Sequence, residues 1–130
     1  MKFQQCPCCS GNTFTLCCEP LLLKADFAKS PEQLMRSRYS AFALGGFGEY
    51  LLNTWGAVRT MNLSEAELSE RSVDWQGLEI VSHSQLDDNG HVEFKAVYLA
   101  QNQAMAVHHE KSIFKRTAGR WFYIKGEIID

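Results

Sequence analysis

Four cysteines near the N-terminus are spaced as metal ligands. Cys6, Cys8, Cys17 and Cys18 follow the pattern C-P-C-x8-C-C, and Cys9 lies between the two pairs. Four thiolates at this spacing can form a tetrahedron around a d10 cation such as Zn2+, which prefers sulfur donors. Disulfides are the less favoured alternative, because five thiols are an odd number and adjacent cysteines are awkward partners. The sequence therefore predicts a structural Zn2+ with these four ligands and no open position for catalysis.

A second group of side chains that could do chemistry lies near residue 110. His108, Glu110 and Ser112 alternate with His109 and Lys111 along a predicted strand, so the first three point to one face and His109 to the other. In an apolar pocket, His108 and Glu110 could act as general base and acid. Alternatively, this is a polar outer face on which Glu110 pairs with a basic residue of a neighbouring strand. A metal site of His108, His109 and Glu110 is disfavoured, because adjacent strand residues diverge.

Two arginines on a predicted helix, Arg36 and Arg38, also stand out. They lie about 200° apart around the helix axis, so one faces the sheet while the other faces water. The inward arginine can anchor a buried carboxylate, with Glu110 as a candidate, and such a pair is either structural or lines a pocket. The pocket candidates are therefore Arg38, His108, Glu110 and Ser112, and no residue is assigned as catalytic.

Composition limits the classes of protein that the chain can belong to. At 130 residues it fits one domain of ordinary size, with a formal net charge of -2, 22% charged residues and 12% aromatic residues. Neither disorder nor a nucleic-acid-binding charge balance is indicated. No apolar run approaches the roughly 20 residues that cross a bilayer. We expect a cytoplasmic protein without a membrane partner, with residues 1–22 as a zinc-binding appendage and residues 23–130 as the main domain.

Helices are predicted in the first half of the chain. The N-terminal cysteine segment is predicted to be a loop, ordered by metal and punctuated by Pro7 and Pro20. Ser30, Pro31 and Gln33 then form a helix start with a capping box, and Gly45-Gly46 ends that helix. Apolar residues at helical spacing and the pair Ser64 and Glu67 predict two further helices. The apolar residues at helical spacing are Leu34, Met35, Tyr39, Ala41 and Phe42, followed by Phe47, Tyr50, Leu51 and Trp55.

From about Trp75 the apolar residues recur with a period of two, which predicts four strands. Asp88-Asn89-Gly90, Gln101-Asn102-Gln103 and Ala118-Gly119 are predicted as the turns between them. Helices followed by an antiparallel meander indicate an α+β fold. We expect a curved sheet around a helical layer, which forms a cone with a pocket.

The cysteine segment resembles a known motif. Cys6-Pro7-Cys8-Cys9-Ser10-Gly11-x-x-Phe14-x-x-Cys17-Cys18 is similar to the SEC-C zinc-binding motif, C-P-C-G-S-G-x-x-[YF]-x-x-C-[CH]. Cys9 replaces a glycine of the motif, so we expect a strained backbone there. The usual lysines beside the aromatic are absent, which argues against nucleic-acid binding. Backbone N–H groups of Ser10 and Gly11 are expected to donate to the thiolates, and Phe14 to pack over the site.

The resemblance extends over nearly the whole chain. Arg36-Ser37-Arg38-Tyr39-x-Ala41-Phe42, Thr54-Trp55, His109-Glu110-x-Ser112-x-Phe114 and Gly119-Arg120-Trp121-Phe122-Tyr123-Ile124-x-Gly126 resemble the YchJ-type (UPF0225) proteins of bacteria. This resemblance implies an NTF2-like domain behind a zinc-binding N-terminal element. Many members of that family carry a second SEC-C motif at the C-terminus, and this sequence, ending at Asp130, contains none.

Two classes of function follow. The favoured one is a protein-interaction or adaptor module, in which the zinc-ordered segment binds a protein partner and the sheet supports a homodimer. The alternative is a small-molecule-binding protein or enzyme that uses the pocket of the cone. A sealed apolar interior favours the first, and an open cavity with convergent polar groups favours the second.

Overall fold

A computed structural model describes residues 4–56, 64–70 and 73–129 of the chain. Four helices precede four strands in the described parts of the chain. The helices are α1 (Glu19–Leu22), α2 (Pro31–Leu44), α3 (Gly48–Asn53) and α4 (Glu65–Ser69). The strands are β1 (Asp74–Leu86), β2 (Asn89–Leu99), β3 (Met105–Thr117) and β4 (Arg120–Ile128). None of these helices has the length and apolar character needed to cross a bilayer.

The N-terminal segment is more ordered than the predicted loop. It contains an isolated bridge between Gln5 and Thr13, a 3-10 turn at Phe14–Leu16, and α1. Cys6, Cys8 and Cys18 and the two leucines of α1 belong to the same hydrophobic core as the helices and strands, and Cys17 packs against it. The cysteine segment therefore fills part of the shared core. The division into an appendage of residues 1–22 and a main domain of residues 23–130 stays a prediction.

Helix α2 begins and ends as its sequence predicts. The Ser30 hydroxyl accepts a hydrogen bond from the Gln33 backbone N–H at 3.1 Å, and Gly45 ends the helix with φ +76°. The capping box closes one residue earlier than expected, because the Gln33 side chain accepts from the N–H of Lys29 rather than Ser30. The buried side of α2 is partly polar, since Ser37, Arg38 and Ser40 lie among its buried apolar residues.

Helices α3 and α4 confirm the two shorter helices. Tyr50 and Leu51 of α3 are buried, and Ser64 caps α4 through the Glu67 N–H at 3.1 Å. Trp55 lies beyond α3, where the chain runs alongside β4. Its neighbours fix this position, because the Gly56 N–H donates to the Tyr123 carbonyl at 2.7 Å and the Tyr123 N–H donates to the Thr54 carbonyl at 2.8 Å. The aromatic ring of Trp55 is thereby held against β4.

The strands form one antiparallel sheet in the order β1-β2-β3-β4, as the meander pattern predicts. Helix α2 packs against β1, β2 and β4, and this helix-facing side is the inner face of the sheet. Alternate residues of each strand reach it, among them Phe94, Ala96, Glu110 and Ser112, all of which are buried. A cavity remains between the inner face and α2.

The turn between β1 and β2 differs from the predicted one. Leu86 pairs with Asn89, so the turn consists of Asp87 and Asp88, with Asp87 at φ +55°. Gly90 lies inside β2, where a Cβ would be 2.2 Å from the Pro31 ring. Glycine is therefore required there for the close approach of helix and strand rather than for the turn. The other two predicted turns, at residues 101–103 and 118–119, are confirmed.

Candidate functional site

The four predicted metal ligands come together at one point of the core. One Sγ atom from each of Cys6, Cys8, Cys17 and Cys18 lies within 4.8 Å of the others, and all are free thiols. The Sγ atoms of Cys8 and Cys17 are 3.6 Å apart, and those of Cys17 and Cys18 are 3.9 Å apart. A tetrahedral Zn2+ with bonds of about 2.3 Å separates its sulfurs by about 3.8 Å. The geometry and the soft donor set therefore fit a metal ion of this kind.

The thiols influence one another's ionisation. Hydrogen bonds from Cys18 and Cys6 lower the pKa of Cys8 far below its ordinary value. Burial raises the pKa of Cys17 to about 11, and the hydrogen bonds that Cys18 makes with Cys6 and Cys8 raise the pKa of Cys18. Without a cation, these shifts favour the thiolate of Cys8 and disfavour those of Cys17 and Cys18. A bound divalent cation would stabilise the thiolates by compensating their charge.

Polar groups around the sulfurs hold them in place. The Ser10 hydroxyl lies 3.2 Å from the Cys17 Sγ, and Arg36 donates to the Cys8 carbonyl at 2.7 Å from helix α2. Ser10 thus contacts a sulfur through its side chain. The predicted backbone donation by Ser10 and Gly11 is not among the hydrogen bonds of the described residues.

Cys9 stands apart from the group of four. Its φ is +64°, which confirms the strain expected where the motif has glycine. Its Sγ accepts from the Leu78 N–H of β1 at 3.4 Å. This sulfur therefore links the cysteine segment to the sheet and is not one of the clustered ligands.

A cavity of about 460 Å³ lies between α2 and the inner face of the sheet. Most of its lining is aromatic or aliphatic, and its polar lining includes Arg38, His108 and Glu110. The lining residues are Met35, Arg38, Tyr39, Phe42, Trp55, Val73, Trp75, Phe94, Ala96, Tyr98, His108, Glu110 and Tyr123. The volume and composition are those of a small-molecule site.

Glu110 is the centre of the polar group in this cavity. Its Oε1 lies 2.8 Å from His108 Nε2, and its Oε2 accepts from the Ser112 hydroxyl at 2.6 Å and the Tyr123 hydroxyl at 2.9 Å. Burial alone would raise the pKa of Glu110, but the hydrogen bonds from His108, Ser112 and Tyr123 outweigh it and lower the pKa. The alternative of an outer face with Glu110 paired to a basic residue is wrong, because the residue is buried and points inward.

Arg38 is the inward arginine of α2. Its side chain is buried, and its Cζ lies 4.8 Å from the ring centroids of both Trp55 and Tyr123. Burial lowers the pKa of Arg38 to about 10, so it remains protonated at neutral pH. The charge of Glu110 acts on Arg38, but no hydrogen-bonded pair joins the two among the described residues. Arg38 and Glu110 thus interact through their charges at a distance, without the predicted ion pair.

The remaining candidates lie elsewhere. Arg36 is half-buried rather than in water, since it pairs with Glu32 at 3.0 Å and donates to the Cys8 carbonyl. His109 on the outer face of the sheet pairs with Glu93 at 2.7 Å. His108 and His109 therefore diverge as predicted. Within the described residues, the grouping that could hold a metal ion consists of the four cysteines alone.

Sequence reasoning did not identify the aromatic walls of the cavity. Trp75 packs edge-on against Tyr39, Tyr98 and His108, with ring centroids 6.0, 5.5 and 6.2 Å away. Trp75, Tyr98 and Tyr123 fall on inward positions of β1, β2 and β4, so strand alternation could have grouped them. Trp55 could not be found this way, because its position depends on the chain that follows α3.

Comparison with known proteins gives matches over most of the chain. A family model described as "YchJ, middle NTF2-like domain" matches residues 30–126. A UPF0225 protein of Pectobacterium carotovorum subsp. carotovorum is 39% identical over 129 residues, which cover 95% of this chain and 83% of the relative. The UPF0225 protein YchJ of Shigella dysenteriae serotype 1 is 35% identical over 127 residues, with 95% and 82% covered.

Two solved structures are also similar. The solution structure of a SEC-C motif containing protein from Rhodopseudomonas palustris has a TM-score of 0.88 and 36% identity, and the match covers 98% of this chain and 100% of the other. The crystal structure of a SEC-C motif containing protein from Psychrobacter arcticus has a TM-score of 0.82 and 27% identity, with 98% and 84% covered. The clustered cysteines of this chain fit a SEC-C motif, and such motifs bind metal in general.

Proposed function

Since this chain belongs to the UPF0225 (YchJ) family, as its motifs predict, we propose that it binds a small molecule in the cavity between α2 and the sheet. One observation carries this proposal. The interior is an open cavity of about 460 Å³ in which Arg38, His108 and Glu110 converge among aromatic rings. A protein that served only as an adaptor has no need to keep Arg38 and Glu110 buried beside the partly exposed His108, because burial of charged groups is unfavourable without a use.

We also propose that the cysteine cluster holds a structural Zn2+ and that the protein works in the cytoplasm, where thiols stay reduced. The spacing of the sulfur atoms and the hydroxyl of Ser10 beside Cys17 support this assignment. Arg36 of α2 is bound to the Cys8 carbonyl, so the metal centre also positions the helix that carries Arg38. The metal therefore contributes to the cavity by positioning the helix that carries Arg38.

Filling the cavity tests the ligand-binding proposal. Ala96 is 2% exposed and lines the cavity, so Ala96→Phe places a ring in the space that a ligand would occupy. We expect a set of flat aromatic fragments, neutral and charged, to shift amide NMR signals of residues 94–98 and 108–110 in the wild type. Ala96→Phe should weaken that binding at least about tenfold, with an overpacking cost of about 1–3 kcal/mol in folding stability.

Val107→Phe is the matched control, because Val107 is 56% exposed on a neighbouring strand and does not line the cavity. It should bind the same fragments as the wild type does. A fragment set that binds nowhere, or that binds Ala96→Phe and wild type equally, would refute the ligand-binding proposal.

A second candidate is protein binding through the cysteine segment, the adaptor role predicted from the sequence. Leu16 and Leu23, which flank the second cysteine pair, are 82% and 63% exposed. Exposed leucines on either side of a metal-ordered segment offer apolar surface that a protein partner could cover. This role is compatible with a ligand in the cavity, and a homodimer through the outer face of the sheet stays a prediction.

A further inference from the structure

The guanidinium of Arg38 has N–H donors that make no hydrogen bond within the described residues. The side chain is 3% exposed, and its Nη1 donates to the Leu51 carbonyl at 2.9 Å and to the Thr54 hydroxyl at 2.6 Å. Within residues 4–56, 64–70 and 73–129, Nε and Nη2 have no hydrogen-bond partner. Neither atom is among the fully buried side-chain atoms without a partner, so both are accessible from the cavity that Arg38 lines. Charged donors beside apolar walls are normally paired, and a ligand in the cavity can supply the acceptor.

The surroundings of Arg38 fix the direction from which a partner can approach. The ring centroids of Trp55 and Tyr123 each lie 4.8 Å from its Cζ and 5.4 Å from each other, so both rings lie on the same side of the guanidinium. Because Nη1 is already bonded, the donors left for a partner are those at the edge formed by Nε and Nη2. That edge presents two parallel N–H bonds, which match the two oxygens of a carboxylate.

Glu110 does not occupy this edge. Its two oxygens accept hydrogen bonds from His108, Ser112 and Tyr123 instead. The described lining of the cavity contains one arginine and no lysine, and the Glu110 carboxylate is close by. One ligand carboxylate can be held by the Arg38 donors, whereas each further negative charge would face Glu110 without a second arginine or lysine in the described lining.

The rest of the cavity selects the shape of the ligand. The rings of Tyr39, Trp75 and Tyr98 form one wall through edge-on contacts, and Phe42 and Phe94 add apolar surface. Such walls favour a flat, apolar body. On the basis of the ligand-binding function proposed above, we propose that the natural ligand is a flat aromatic or conjugated monocarboxylate, bound through the Nε and Nη2 atoms of Arg38.

The test compares two probes of equal shape, 2-naphthoate and 2-naphthamide, on the full chain by isothermal titration calorimetry. The carboxylate accepts from both nitrogens of the open edge, whereas the amide replaces one oxygen by an NH2 group that faces the arginine donors. We expect one molecule of 2-naphthoate per chain and binding of 2-naphthamide about 100-fold weaker. Because both measurements use the wild-type protein, they do not depend on any variant folding.

Arg38→Lys provides the second arm, because lysine keeps the charge and loses the two-pronged edge. It should weaken 2-naphthoate binding at least about tenfold and leave 2-naphthamide binding nearly unchanged. Arg116→Lys is the matched control: Arg116 also lies over a tryptophan, Trp121, but pairs with Asp88 away from the cavity. It should bind both probes as the wild type does.

The outcomes separate this inference from the function on which it rests. Equal affinity for the two probes, with both lost in Ala96→Phe, would overturn the carboxylate assignment and leave the ligand-binding function standing. Binding of 2-naphthoate that Arg38→Lys or Ala96→Phe does not weaken would place the anion elsewhere and overturn the assignment. Failure of both probes, together with failure of every neutral fragment, would overturn the inference and the function together.

Discussion

Cys17→Ser is expected to release the metal and to lower the free energy of unfolding by about 3–5 kcal/mol, a fall in Tm of about 10–20 °C. Cys17 is the least buried of the four clustered cysteines, and a serine in its place preserves the size of the side chain. The change therefore removes a sulfur ligand with little effect on packing. Native mass spectrometry of protein purified without added metal should find one Zn2+ per wild-type chain and none in the variant.

The loss should extend beyond the cysteine segment. The Cys6 Sγ lies 3.7 Å from the Ser40 hydroxyl, and the Cys8 carbonyl accepts from Arg36, so two of the four cysteines contact α2. Amide hydrogen exchange in the variant should accelerate in residues 4–22 and also in α2. Because α2 carries Arg38, binding of 2-naphthoate should weaken as well. Faster exchange confined to residues 4–22 would instead support the predicted appendage.

Cys9→Gly is the matched control for the metal site. The Cys9 sulfur contacts the Leu78 N–H rather than the other sulfurs, and its backbone at φ +64° suits glycine better than cysteine. This variant should keep one Zn2+ per chain. Loss of metal in Cys9→Gly, or full metal content in Cys17→Ser, would show that the four-cysteine assignment is incorrect.

Much of the fold is encoded in local signals. Ser30 and Gln33 mark the start of α2, Gly45 marks its end, and alternation along β1–β4 gives the strands and their order. The predicted α+β NTF2-like fold is confirmed. It could be predicted because each of these signals depends on a few neighbouring residues. The alternation also placed His108, Glu110 and Ser112 on one face, and the cysteine spacing brought four sulfurs together.

The remaining features depend on distances between elements, which local patterns do not contain. Whether the space under α2 is filled or open depends on how closely the helix approaches the sheet, and Gly90 shows that this approach is set by contact with Pro31. Arg38 donates to the Leu51 carbonyl of α3 and to the hydroxyl of Thr54, which follows α3. The sequence alone could not show that Arg38 would hydrogen-bond to Thr54 rather than to Glu110. The role of the cysteine segment in the core likewise follows from tertiary packing.

Glu110→Gln is expected to lower the free energy of unfolding by about 2–3 kcal/mol at pH 7. The carboxylate accepts from His108, Ser112 and Tyr123, whereas an amide offers one acceptor oxygen and turns an NH2 group toward donors. Some of the expected loss also comes from Arg38, which would keep its buried charge without the neighbouring negative charge. Chemical denaturation of both proteins measures the difference.

The difference should depend on pH in a definite direction. Because the hydrogen bonds keep the pKa of Glu110 below its ordinary value, its contribution is complete above about pH 5 and is lost as the pH falls through the lowered pKa. The gap between wild type and Glu110→Gln should therefore be constant from about pH 5 to 7 and shrink toward pH 3. An equal gap at pH 3 and pH 7 would mean that the ionised form of Glu110 is not the stabilising one.

Glu93→Gln is the control that separates this network from an ordinary histidine–glutamate pair. Glu93 contacts His109 at 2.7 Å on the neighbouring strands, almost the distance between Glu110 and His108, but it lies on the outer face and is more exposed. Its loss should cost less than about 1 kcal/mol, because solvent weakens the pair. Equal losses from the two substitutions would mean that burial and the additional donors Ser112 and Tyr123 contribute nothing, and that the cavity has no special electrostatic role.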